Sequence, residues 1–377
     1  MANLEKLVSM EDLRRRARRR MPRVAWEFLD SGTGAETALI RNRERMDAVT
    51  MVPRMMRAAR VPDTSAPLLG RTWQAPIGVA PVGLQSLMWP GIEQALAAMA
   101  ARQGIPYCLS TVAGESLEDI ARVNPDFWFQ LYPPTDAEAR RDLIRRAHDA
   151  GAKALVLTLD IPRSSRRERQ RRAGVGMPPK TTARLVADVL SHPSWALATW
   201  RRGVPTMRSL APYIPSTDMK KMAEFTARNL AFDLTPEGVA EIRDLWPGQF
   251  IVKGVLHPED AEKLIGIGAD AIWVSNHGGR QVDIGVAAID ALPGIVQAVG
   301  DRAGIIYDSG IASGADVARA VALGAQMCFV GRGFVWGVAA LGAPGAAHAE
   351  AILRDELSNV MSQLGCHRLD ELKERLA

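Results

Sequence analysis

Short apolar stretches recur along the chain, each followed by a longer segment whose apolar positions repeat at helical spacing. Eight of them occupy residues 75–80, 105–109, 127–131, 154–159, 250–252, 271–274, 304–307 and 327–330. Continuous apolar runs of this length suit strands buried on both faces, as parallel strands are beneath their crossover helices. Helix-like patterns fill residues 91–103, 136–150, 258–266, 286–299 and 314–323. Eight strand–helix units in succession predict an α/β fold, a (β/α)8 barrel of the TIM type. An N-terminal helical segment precedes it, and a long insert, residues 174–228, follows strand four. The expectation is a single domain over residues 1–377.

Barrel enzymes place their chemistry at the carboxyl ends of the strands, so the residues there carry the functional reading. Strand one ends in Pro81-Val82-Gly83, strand two in Ser110-Thr111, strand three in Gln130 with Tyr132, and strand four in Thr158 with Asp160. Strand five ends at Lys253, strand six runs into Ser275-Asn276-His277-Gly278-Gly279-Arg280-Gln281-Val282-Asp283, strand seven into Asp308-Ser309-Gly310, and strand eight into Gly331-Arg332. Ordinary loop formation accounts for the glycines and serines. It does not account for Lys253, Asp160, His277 and Arg332 together. On the sixth loop, His277 supplies a base and Arg280 a carboxylate clamp, with two glycines between them that let the backbone turn tightly against a flat ligand. The glycine-rich loops after strands seven and eight suit a phosphate at a helix amino terminus. Lys253 either stabilises negative charge on a ring above the barrel mouth or pairs with a barrel carboxylate.

Composition narrows the class without choosing a chemistry. The chain is 47% hydrophobic with a mean hydropathy of −0.05, enough for a full core and unlike a disordered chain. No apolar run approaches the roughly 18 residues of a membrane span, and residues 1–20 are polar and arginine-rich, so the expected location is cytoplasmic. Cys108, Cys328 and Cys366 lie far apart and read as reduced structural thiols. A net charge of +5 and a pI near 9.3 fit nucleic acid, an anionic membrane surface or anionic substrates. No nucleic-acid motif accompanies the charge, and the cluster Arg14-Arg15-Arg16-Ala17-Arg18-Arg19-Arg20 reads as a solvated helix face. No histidine pair has zinc-ligand spacing, so no metal is expected.

These residues, in this order, resemble the FMN-dependent 2-hydroxy-acid dehydrogenase and oxidase family over nearly the whole chain. The loop from Ser275 to Asp283 is similar to that family's signature, with Val282 where leucine is common. Trp128-Phe129-Gln130-Leu131-Tyr132, Leu157-Thr158-Leu159-Asp160, Val252-Lys253-Gly254 and Gly331-Arg332 match further. The resemblance implies FMN as cofactor and a small 2-hydroxy acid as substrate, with His277 as base and Asp160 as its partner. It assigns the substrate carboxylate to Arg280 and Arg167, the substrate oxygen to Tyr132, and stabilisation of the reduced flavin to Lys253. Pro81, Val82, Gly83, Ser110, Gln130, Thr158 and Ser275 would surround the ring. Asp308, Ser309, Gly310, Gly331 and Arg332 would hold ribityl and phosphate. A homotetramer is the family's usual assembly.

Two departures stand out. Trp26 occupies the position of a substrate-binding tyrosine, which implies an altered pocket, and Ala312 stands where an arginine near the FMN phosphate is common. Loss of that charged contact would cost about 1.5–3 kcal/mol of cofactor affinity unless Ser309, Ser313 or Arg332 compensates. Within the family, Ser191-His192-Pro193-Ser194-Trp195, Arg243-Asp244-Leu245-Trp246-Pro247, Trp89-Pro90 and Gly83 resemble the bacterial mandelate and lactate dehydrogenases. The implied reaction is oxidation of an (S)-2-hydroxy acid to the keto acid, with electrons passed to a quinone or other acceptor. The alternatives are an oxidase that uses O2 or a changed substrate. Trp89 and Trp26 favour an aryl substrate. The insert's tryptophans, arginines and apolar residues suit either an anionic membrane surface, on the inner face of the cell membrane, or an active-site lid.

Overall fold

The computed structural model describes residues 6–57, 60–174, 182–203, 206–214, 224–225, 228–230 and 234–377. Eight parallel strands form one sheet in the order β3-β10-β9-β8-β7-β6-β5-β4. They are β3 Ile77–Val79, β4 Cys108–Ser110, β5 Trp128–Leu131, β6 Ala154–Thr158, β7 Gln249–Val255, β8 Ala271–Val274, β9 Gly304–Tyr307 and β10 Met327–Val330. The ring closes where Val79 bridges Tyr107 and its N–H donates to Pro106 O at 2.9 Å. The eight apolar runs are therefore the eight strands of a (β/α)8 barrel, with helices packed around them.

Both faces of these strands are buried because they feed two separate cores. Outward-facing residues such as Leu155, Leu157, Ile272 and Val274 pack under the helices, while Val156, Ile251, Trp273 and Phe329 fill the interior. The interior is unusually aromatic: Trp128 lies 5.3 Å from Phe329, which lies 4.2 Å from Trp273. Below them a short hairpin, β1 Ala66–Leu68 and β2 Arg71–Trp73, closes the base and sets Trp73 edge-on to Trp128 at 6.1 Å. This hairpin was not expected. Its only local sign is the turn at Leu69 and Gly70, both with positive φ.

Three N-terminal helices cover one side of the barrel mouth: α1 Met10–Arg20, α2 Arg23–Asp30 and α3 Thr37–Asp47. A capping box between Ser9 and Asp12 starts α1, which buries Met10, Leu13 and Ala17. The arginine cluster is only partly the solvated face that its composition suggests. Arg15, Arg18 and Arg19 are exposed, but Arg14 pairs with Asp30, and Arg16 and Arg20 donate to the carbonyls of Ala339 and Ala340. Those carbonyls end the helix Arg332–Leu341, where its dipole favours cations. Tertiary packing on that helix gave two of these charges structural work, and packing on α2 gave it to a third.

In the insert, helices Ala183–Leu190 and Pro193–Arg202 dock beside the N-terminal helices. Trp195 Nε1 donates to Met88 O at 2.9 Å, and Asp188 accepts the Arg23 N–H at 2.7 Å. Residues 175–181, 204–205, 215–223 and 226–227 of the insert lie outside the described residues. Among the described residues, no helix is long and apolar enough to cross a membrane.

Candidate active site

The carboxyl ends of the strands open into a cavity of about 760 Å³, within the usual range for a cofactor or substrate site. His277, Arg280, Arg167, Tyr132 and Lys253 all line it, as do Pro81, Val82, Gly83 and Ser110. Asp308, Ser309, Gly310, Gly331 and Arg332 form its other wall. The sixth loop makes the turn anticipated for it: His277, Gly278 and Gly279 follow one another with positive φ. At Gly279 a Cβ would sit 2.7 Å from the backbone nitrogen of Leu39, so α3 can approach this loop only over a glycine. Asp283, the last residue of the signature, accepts the N–H groups of Ala35 and Ala38 and ties the loop to the start of α3.

Asp160 reaches His277 from the end of β6, with Oδ1 3.0 Å and Oδ2 3.2 Å from the imidazole Nδ1. Gly254 makes room for it. The register of β7 against β8 shifts there, φ is +98°, and a Cβ would come within 2.5 Å of the Asp160 Cβ. Burial works against ionisation of Asp160, but the charges of His277 and Lys253 outweigh it and hold the carboxyl below its ordinary range. Burial also lowers the His277 pKa, and the opposing pull of Asp160 does not restore it. His277 is thus a neutral base at neutral pH, its Nδ1 turned to Asp160 and its Nε2 left for the cavity.

Lys253 donates to Ser275 Oγ at 2.7 Å and lies 2.8 Å from Asp308 Oδ2. The carboxylate pairing left open for this lysine is therefore present. Asp308 Oδ2 also accepts from Trp273 Nε1 at 3.0 Å, and its Oδ1 accepts from Ser309 Oγ at 2.8 Å and from Ser275 Oγ. Ser275, itself beneath the cavity lining, joins these groups and accepts the His277 N–H at 3.0 Å. Trp273 was overlooked as a site residue. It is in register with Lys253 on the neighbouring strand and shares its inward face, so strand parity pointed to it.

Arg280, Arg167 and Arg332 all reach the cavity, and Arg280 and Arg332 share acceptors. Arg280 donates to the carbonyls of Phe28, Leu29 and Ser31, and Arg332 to those of Leu29, Gly278 and Ser31. Burial pushes the Arg280 pKa well down, and the nearby charges of Arg167 and Arg332 push it further. Arg332 and Arg167 are lowered by burial too. Guanidinium groups that press on Arg280 and Arg332 in this way form a site that an anion stabilises. Tyr132 is raised by burial and then by Asp160, which keeps its phenol protonated and able to donate.

Trp26 requires a correction. It does not line the cavity; it is buried, with Arg14, which does line it, 5.7 Å and Arg18 6.0 Å from its ring. Phe28, Leu29 and Asp30, at the end of the same helix, line it instead. Trp89 is likewise outside the lining, packed under Arg20 at 4.3 Å. Residues that sequence reasoning missed include Phe28, Met88, Ile161 and Leu230, which give this part of the cavity its apolar wall. They come from four separate segments, so no local pattern marks them.

Gln130 and Thr158 lie one layer below. Ser110 Oγ donates to Gln130 Oε1 at 2.9 Å, leaving Gln130 Nε2 and Thr158 Oγ1 buried without a partner among the described residues. Buried polar atoms are rarely left so. The FMN-dependent dehydrogenase family matches residues 17–377. The chain belongs to that family. An L-lactate dehydrogenase of Caulobacter sp. (strain K31) is 38% identical over 367 residues, covering 97% of this chain and 96% of that protein. A 4-hydroxymandelate oxidase of Amycolatopsis orientalis is 38% identical over 359 residues, covering 95% of each. The crystal structure of the monotopic membrane protein (S)-mandelate dehydrogenase superposes with a TM-score of 0.94 at 31% identity, covering 98% of this chain and 99% of that one.

FMN is therefore the cofactor of this FMN-dependent dehydrogenase, and its residues fit that group. The orphaned Gln130 and Thr158 atoms would be partners for the polar edge of a flavin. Lys253 would bring a cation to the flavin, and the glycine-rich loops after β9 and β10 would hold its terminal phosphate.

Proposed function

We propose that the protein oxidises an (S)-2-hydroxy acid with an apolar side chain to the corresponding 2-keto acid. The observation that carries this reading is the meeting, in one cavity, of a neutral His277 backed by Asp160 with Arg280, Arg167 and Tyr132. The two guanidiniums hold the substrate carboxylate, and the Tyr132 hydroxyl donates to the oxygen on the α-carbon. The bound FMN supplies the two-electron acceptor. His277 Nε2 takes a proton, from the hydroxyl or from the α-carbon, and Asp160 stabilises the imidazolium that results. Lys253 stabilises negative charge above the barrel mouth. Phe28, Met88, Ile161 and Leu230 favour an aryl substrate such as mandelate over a short aliphatic one such as lactate. Anaerobic bleaching of the flavin by a series of 2-hydroxy acids tests this, with aryl acids expected to react faster; no bleaching by any of them would refute it.

The acceptor is proposed to be a quinone, reached at a membrane surface. Val186, Leu190, Leu197 and Trp200 are exposed on the two insert helices, with the exposed cations Arg184 and Arg201 beside them. An apolar edge flanked by arginines suits the interface of an anionic bilayer. The membrane protein of similar fold supports this reading. Sedimentation with anionic vesicles at low salt should carry the enzyme down, and Leu190→Asp with Trp200→Asp should abolish it; no sedimentation would leave the insert as a lid. The 4-hydroxymandelate oxidase relative supports O2 as the other acceptor, distinguished by whether O2 or a quinone reoxidises the reduced enzyme faster.

A further inference from the structure

One end of the cavity is walled by the loop after β9, and a guanidinium reaches it from outside the barrel. Arg43, on α3, lines the cavity together with Gly310, Ile311 and Ala312. Its Nη1 donates to Gly310 O at 3.3 Å and to Asp316 Oδ2 at 2.8 Å, and its Nη2 to Asp316 Oδ1 at 2.7 Å. Asp316 is almost wholly buried, and the same Oδ2 accepts the Ala312 N–H at 2.9 Å. One arginine therefore grips the loop at both ends, directly at Gly310 and through Asp316 at Ala312.

The loop needs such support. Ser309 and Gly310 hold φ of 87° and 102°, and the serine adopts that region only at a cost. The helix Gly314–Ala322 opens immediately afterwards, capped by Ser313, and its amino terminus favours negative charge at this end of the cavity. Ala312 adds no charge. Arg332 has three donors committed to backbone carbonyls. Arg43 also shares donors with Asp47, a carboxylate more than half exposed that water can satisfy in its place.

Resting on the assignment of FMN as cofactor, we propose that Arg43 is the positioning residue for the cofactor's terminal phosphate. It holds the 308–312 loop in the shape that receives a phosphate monoester and brings to that end the positive charge that position 312 lacks. The charge comes from a helix outside the barrel rather than from the phosphate loop.

Riboflavin is FMN without the phosphate, so the ratio of their dissociation constants for the apoprotein isolates this contribution. Arg43→Leu is expected to weaken FMN about 10- to 100-fold while riboflavin stays within about twofold of wild type, the range for losing charge-assisted hydrogen bonds. Arg43→Lys, which keeps the charge and loses the fork, should fall between and serves if Arg43→Leu does not fold. Equal weakening of both flavins, or an unchanged ratio in either variant, would overturn the proposal while leaving the FMN assignment intact. A wild-type protein that binds neither flavin would instead overturn the assignment itself.

Discussion

Asp160→Asn removes a negative charge 3.0 Å from the Nδ1 of His277 with almost no change in volume. The charge matters once the imidazole has taken the substrate proton. Two unit charges with centres about 4 Å apart interact by about 4 kcal/mol at an effective dielectric constant near 20. An asparagine oxygen still accepts from Nδ1, and a neutral hydrogen bond returns about 1 kcal/mol. The net loss of about 3 kcal/mol corresponds to a rate lower by about two orders of magnitude. Anaerobic stopped-flow measurement of flavin bleaching under saturating 2-hydroxy acid reads this step. The pH dependence checks the cause. Burial already holds His277 below its ordinary pKa with Asp160 pulling the other way, so removing Asp160 lets burial shift it further down. The acid limb of kcat/KM should therefore move to lower pH while its plateau falls. A plateau within about tenfold of wild type, or an acid limb that moves upward, would refute the reasoning.

Lys253→Met should cost about 3–5 kcal/mol of stability, because it strands the buried Asp308 carboxylate without its counter-charge. Urea unfolding with a loss under about 1 kcal/mol would argue against a genuine ion pair. Gly254→Ala forces a Cβ toward Asp160 at a backbone angle that non-glycine residues disfavour, at a cost of about 1–3 kcal/mol. It should lower turnover far more than substrate affinity, as measured by reductive titration. The buried Asp316 carboxyl is pushed up by desolvation but held below 3.8 by Arg43. Its contribution to stability is thus complete above about pH 3.8 and is lost as pH falls through its lower folded value. Asp316→Asn should therefore lower stability at neutral pH and flatten its decline below about pH 4, as read from urea midpoints across that range; an unaltered slope would exclude this linkage.

The sequence by itself determined the barrel, because each strand is short, apolar on both faces and set between helical patterns, a local signal that needs no knowledge of its neighbours. It also marked the polar groups at the strand ends, since Lys253, Asp160, His277 and Arg332 together are residues that a loop would not otherwise require. The β1–β2 hairpin was too short to carry a periodic signal. Only the tertiary structure decided which side chains of α2 line the cavity, namely Phe28, Leu29 and Asp30 and not Trp26. Only it paired Lys253 with Asp308, set Trp273 behind that pair, and brought Arg43 to a loop more than 260 residues away along the chain. These are long-range facts. They depend on how elements distant in sequence rotate and approach to bury their apolar faces, and that is settled by packing across the whole barrel rather than by any segment's own pattern.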